Sequence, residues 1–139
     1  MGAYKQIYLE EANELMRLVF EETAKDKTLD FKYFVEGFMK CKYRELMDSG
    51  STRVINMTFD ELISYLHKDC KEIYKKGKFS IDYLQAGWMG IIYNTLQFNL
   101  KISSQELYDK LPLNKLMVYF EPLHTVSNDV AIEKLLRVI

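Results

Sequence analysis

Leu84-Gln85-Ala86-Gly87-Trp88-Met89-Gly90-Ile91-Ile92-Tyr93 is apolar at nearly every position. A helix on a protein surface carries its apolar residues on one stripe, so a segment apolar on all sides belongs at the centre of a domain. With a cap at Ser80 and an end near Leu100, the stretch predicts the central helix, near 81–100, of an all-α bundle. Gly87 and Gly90 each cost a helix about 1 kcal/mol relative to alanine. The expected compensation is close approach of a second helix at Ala86, Gly87 and Gly90, with Trp88 and Met89 packed around the contact. Asn94, Gln97 and Asn99 interrupt the run, and Trp88 to Leu100 is too short to span a bilayer.

The flanking segments repeat a helical period. From about Tyr4 to Lys25, Ala12, Leu15, Leu18 and Val19 recur three or four apart, with Glu10, Glu11, Glu14, Arg17 and Glu21 between them. Phe31, Phe34, Val35 and Phe38, joined by Tyr43 and Leu46, predict a second helix over about 31–47, closed by Gly50 in a left-handed cap. Thr58-Phe59-Asp60-Glu61 is a capping box, with Met57 and Leu62 placed as a hydrophobic staple. It opens a third helix along Leu62, Ile63, Leu66, Cys70 and Ile73 that closes at Lys75-Lys76-Gly77.

After the central helix, Ser103-Ser104-Gln105-Glu106 reads as another capping box, with Ile102 and Leu107 as its staple. Pro112 suits the first turn of a following helix, and Pro122 stops or kinks that helix near Phe120. Ser127 or Asn128 caps a last helix bearing Val130, Ile132, Leu135, Leu136 and Ile139. Arg53-Val54-Ile55-Asn56 is the sole candidate for extended pairing. The sequence thus predicts one compact domain over 1–139, built from about six to seven helices.

With 19 Lys and Arg against 20 Asp and Glu, the chain has no global field to draw nucleic acid or an anionic membrane. Two cysteines, Cys41 and Cys70, are too few for a disulfide scaffold. There is no secretory signal, and in Met1-Gly2-Ala3-Tyr4-Lys5-Gln6 a myristoylation signal would need Ser or Thr in place of Gln6. A cytoplasmic protein with reduced thiols is expected.

Chemistry-bearing patterns are few. His67 and Cys70 share a helix face but supply only two of the four ligands a structural zinc needs, so no metal is expected. Glu121 and His124 have the Glu-x-x-His spacing of di-iron bundles, once rather than twice and around Pro122. A dispersed enzymatic site around Glu121 and His124 remains one alternative. No nucleophile elbow and no glycine-rich phosphate loop is present, so neither catalytic residue nor cofactor is assigned. Lys68, Lys71, Lys75, Lys76 and Lys78, interleaved with Tyr74 and Phe79, form a basic patch; nucleic-acid association through it is the second alternative. A solvated helix face explains the same lysines. Ten tyrosines exceed what a small core must bury, and tyrosine at a core boundary favours a protein partner or self-association.

Gly87-Trp88-Met89-Gly90-Ile91-Ile92-Tyr93, Ile102-Ser103-Ser104-Gln105-Glu106-Leu107-Tyr108 and Tyr119-Phe120-Glu121-Pro122-Leu123-His124-Thr125 together resemble a group of uncharacterised bacterial helical proteins. The resemblance extends to a small domain encoded beside ADP-ribosyltransferase-like toxins, where it acts as the antitoxin. It covers about 84–139, and the first eighty residues have no counterpart in the short domain. It implies a bacterial, non-enzymatic interaction module. Trp88, Tyr93, Tyr108, Tyr119 and His124 are its interaction or structural-motif residues, with Tyr108 and His124 fixing the turn between the last helices.

Overall fold

The computed structural model describes Tyr4 and residues 6–139. The N-terminal positions bearing on acylation, Met1, Gly2, Ala3 and Lys5, lie outside the described residues. Among the described residues the chain is all-helical, with α1 (Leu9–Lys25), α2 (Phe31–Lys40), α3 (Lys42–Asp48), α4 (Thr52–Ile55), α5 (Phe59–Asp69), α6 (Tyr83–Leu100), α7 (Ser104–Lys110), α8 (Leu113–Leu123) and α9 (Asn128–Leu136). Short 3-10 turns precede α1 (Gln6–Tyr8) and follow α5 (Lys71–Ile73).

Helix α6 is the central element, and α1 lies antiparallel along it. Gly90 faces Met16 and Phe20 while Gly87 faces Arg17 and Glu21, so the two chains run in opposite senses. A Cβ at residue 90 would sit 2.7 Å from the Met16 carbonyl oxygen. The glycines therefore do what the sequence predicts and let two backbones touch. Met89 is buried beneath the crossing; Trp88 is half-buried on another side of α6, edge-on to Phe120 of α8 at 5.4 Å. Phe20 anchors the second half of the core, with Phe31, Phe34 and Phe38 of α2 each edge-on to it at 5.5–6.0 Å. Edge-to-face pairs of this kind add about 0.5–1.5 kcal/mol beyond the area they bury.

Among the described residues nine α-helices stand where six to seven are expected. The segment over 31–47 breaks at Cys41, whose backbone is extended (φ −78°, ψ 165°), giving α2 and α3. Residues 53–56 are not extended; Ser51 accepts from the Arg53 amide and starts α4 instead. The third predicted helix ends at Asp69, not at Lys75–Lys76. Beyond Cys70, residues 75–79 run beside the α1–α2 loop, where Asp30 N donates to Lys75 O and Phe31 N to Phe79 O, both at 2.8 Å. That pairing satisfies backbone groups a longer helix would have satisfied internally. Asp82, rather than Ser80, caps α6, its carboxylate accepting from the Leu84 and Gln85 amides.

Other local signals hold in whole or in part, the Ser103 box in only one of its two bonds. Gly50 has φ 74°, as a left-handed cap requires. Asp30 caps α2 and Ser127 caps α9. Pro112 is the cap of α8, one position ahead of its first turn, and Pro122 lies one residue before that helix ends. At the Ser103 box the Ser103 hydroxyl accepts from the Glu106 amide at 3.0 Å. The Thr58 box is complete: Thr58 Oγ1 accepts from Glu61 N and Glu61 Oε1 accepts from Thr58 N at 2.9 Å. Thr58→Ala is expected to cost about 1 kcal/mol. That loss would appear as a lower urea midpoint with unchanged slope.

Candidate functional site

Of the five residues singled out by the C-terminal motifs, Tyr93 and Tyr108 are core. The Tyr93 hydroxyl donates to Leu111 O at 2.8 Å, tying α6 to the α7–α8 junction, and burial pushes its pKa well up. Neither tyrosine is placed to meet a partner. Tyr119 is half-buried. Trp88, Phe120 and His124 form a row, with the His124 ring stacked on Phe120 at 4.3 Å and its Nδ1 2.8 Å from the Phe120 carbonyl. The row fastens the end of α8 against α6.

The tyrosines do not make one continuous surface. Tyr4, Tyr43, Tyr93 and Tyr108 are buried, and Tyr8, Tyr33 and Tyr83 are exposed on separate parts of the molecule. Lys75 lies over the Tyr33 ring and Lys25 over the Tyr83 ring, at 5.1 and 5.0 Å. Tyr8 stands at the lip of a groove.

That groove lies between α1 and the α4–α5 corner. Its volume is about 280 Å³. Ala12, Leu15 and Leu18 of α1 form one wall, with Ile55, Met57 and Phe59 opposite. The periodicity of α1 counted Leu15 and Leu18 as core, yet α1 turns Met16, Val19 and Phe20 into the bundle and leaves them half-buried. The helix thus has two apolar faces, one against α6 and one only partly covered, with Ala12 and Leu15 packed at the edge of the core. Glu11 and Glu14 border the groove, and no lysine or arginine lines it among the described residues. Both carboxylates also line a second hollow beside α1, with Ile7, Asn13 and Ile91. Ile7 is 77% exposed and Tyr8 42%, so large apolar side chains stand on the ridge between the two hollows.

Beneath this half of the molecule is a polar cluster that no sequence motif announces. Arg44 of α3 is 1% exposed. It donates to Asn94 Oδ1 of α6 at 2.9 Å and to Ser104 Oγ of α7 at 3.0 Å, and reaches Asp48 Oδ1 at 3.4 Å. Asp48 also accepts from the Ser104 amide at 2.6 Å and from its hydroxyl at 2.7 Å. Asn94 in turn donates to Asn13 Oδ1 of α1 at 2.8 Å and to the Tyr4 hydroxyl at 3.2 Å. The one available signal is Asn94 itself, a polar residue within an apolar helix segment; buried at 1% exposure, it must find partners.

The remaining candidates are dispersed. His67 is exposed and stacked on Tyr74 at 4.4 Å, whereas Cys70 is fully buried. Burial pushes the Cys41 thiol up to about 12, with the neighbouring Cys70 adding to the rise, so Cys41 carries little thiolate. Among the described residues no group of three or more His, Cys, Asp or Glu is placed to hold a metal ion. Glu121 and His124 are both exposed and line neither hollow beside α1. Lys68, Lys71, Lys75, Lys76 and Lys78 are all exposed, but Lys68 lies in the last turn of α5 and the last three lie on the non-helical 75–79 segment. They do not form one helix face. Among the described residues no helix is long and apolar enough to cross a membrane. No family model, curated protein or solved structure matches this chain.

Proposed function

We propose that the protein is a non-enzymatic interaction module that binds a protein partner through the groove between α1 and the α4–α5 corner. The supporting observation is the second apolar face of α1, where Leu15 and Leu18 stand half-buried opposite Met57 and Phe59. Apolar walls with a polar rim are what protein interfaces bury at their centre. The groove is built from residues 4–59, outside the part that resembles the antitoxin-like domain. A toxin as the partner therefore rests on the resemblance of residues 84–139, and the groove supports a protein partner independently of it.

Tagged full-length protein purified from its native host is expected to bring down one partner in stoichiometric amount. Leu15→Glu, which places a charge in the groove wall at the edge of the core, should abolish the recovery while circular dichroism shows the variant still helical and cooperatively folded. Repeated recovery of the wild-type chain alone, or equal recovery by the variant, would overturn the proposal.

A further inference from the structure

We infer that the segment seated in this groove is a basic amphipathic helix of the partner, its apolar side chains between α1 and the α4–α5 corner and its lysines or arginines against Glu11 and Glu14. The inference rests on the interaction reading above and goes further by naming the chemistry of what binds.

Shape comes first. From Tyr8 to Leu18 the α1 wall runs about 15 Å at 1.5 Å per residue, some three turns of a helix laid alongside it. The groove is partly open to solvent and slightly smaller than the roughly 300–1,000 Å³ usual for enclosed small-molecule sites. A row of side chains spaced one turn apart fits such a trough, as in other helix-in-groove complexes. A sheet edge is not a competing mode, since among the described residues pairing is limited to the Leu29–Lys76 bridge.

Charge selects the occupant. Glu10, Glu11 and Glu14 are exposed along the same ridge. Glu14 is already held by Arg17, whose guanidinium also bonds Glu21, and that pairing keeps the Glu14 carboxyl below its usual range. Glu11 supplies the remaining charge at the groove, with Glu10 next to it on the second hollow. An acidic helix in the groove would meet these carboxylates at close range, and such like-charge contacts are strongly unfavourable at interfaces.

Two designed peptides test this on the full chain. Both carry leucine at i, i+3, i+4 and i+7; one has lysine at the other positions and the other has glutamate. Each is titrated into isotopically labelled protein and followed by backbone amide NMR. The lysine peptide is expected to shift amides of residues 8–18 and 55–59, with affinity falling about tenfold from low to high ionic strength as exposed carboxylates are screened. Glu11→Lys should weaken it about as much. The glutamate peptide should not perturb the groove.

Equal binding of both peptides in the groove would overturn the basic character of the partner and leave the docking reading intact. Shifts confined to other surfaces with the lysine peptide would overturn the inference outright. A host partner lost on Leu15→Glu but lacking any basic amphipathic segment would do the same. Failure of the docking reading shows separately, as a partner whose recovery ignores Leu15→Glu.

Discussion

Arg44→Ala is expected to lower the free energy of unfolding by about 3–5 kcal/mol, the range for breaking a buried charged pair from one side. The guanidinium joins three helices, α3, α6 and α7, through Asp48, Asn94 and Ser104. Truncation leaves Asn94 Oδ1 without its donor in the core and removes the cation facing Asp48. It also opens a cavity beside Met16, whose sulfur lies 3.5 Å from Nη1. Asp48 keeps its two bonds from Ser104 and its side chain is partly exposed, so Asp48→Asn should cost less than loss of the arginine. Arg44→Met separates the causes. It restores most of the volume without any hydrogen bond, so a loss close to that of alanine assigns the effect to the polar network. Urea denaturation of the three variants gives the ordering; Arg44→Ala within about 1 kcal/mol of wild type would show the network to be dispensable.

The contrast between Arg44 and the central helix marks how far the sequence carries. A helix apolar on every side, glycines within it, and a Thr-x-x-Glu before an apolar run are local patterns, and each maps onto α6, the α1–α6 crossing and the start of α5. Arg44 looks like an ordinary surface residue between Tyr43 and Glu45, because its burial depends on α7 folding back over α3 to bring Ser104 against it. The irregular run at 75–79 also depends on a distant partner. Chain 75–79 leaves the helix because residues 28–31 offer backbone groups to pair with.

The groove was hidden for a related reason. Periodicity reports which residues of α1 are apolar, but a second helix decides which of them are covered. With the small residues of α6 drawing Met16 and Phe20 inward, Leu15 and Leu18 are rotated toward the α4–α5 corner, where only the ends of short helices approach. The C-terminal motifs led to the opposite outcome. Tyr93 and Tyr108, attractive as interface residues by type, are consumed by the core, and Trp88 and His124 are spent on holding α8.

Gly90→Val should be among the most damaging single changes, costing about 3 kcal/mol or more, because the obstacle it meets is backbone. The Cβ alone would lie 2.7 Å from Met16 O and 3.0 Å from both Met16 C and Phe20 Cγ. A carbonyl inside α1 cannot rotate aside without giving up its place in the helix, so α1 and α6 must separate along their crossing. Even Gly90→Ala should be destabilising, although alanine by itself favours the helix by about 1 kcal/mol. Gly87→Ala, one turn away on the same interface, supplies the control. Its Cβ would meet Glu21 Oε2 at 2.5 Å, Glu21 Cγ at 2.8 Å and Arg17 Cγ at 3.0 Å, all of them side-chain rather than backbone atoms, with Glu21 itself buried. There side-chain rearrangement around the Arg17–Glu21 pair, rather than separation of two backbones, relieves the contact, and the helical gain of alanine offsets part of the cost, so the loss should be smaller than that of Gly90→Ala. Thermal unfolding should therefore rank Gly87→Ala well above Gly90→Ala, with Gly90→Val lowest. If the two alanine variants were equally stable, contact between the α1 and α6 backbones would not be what holds the central helix in place.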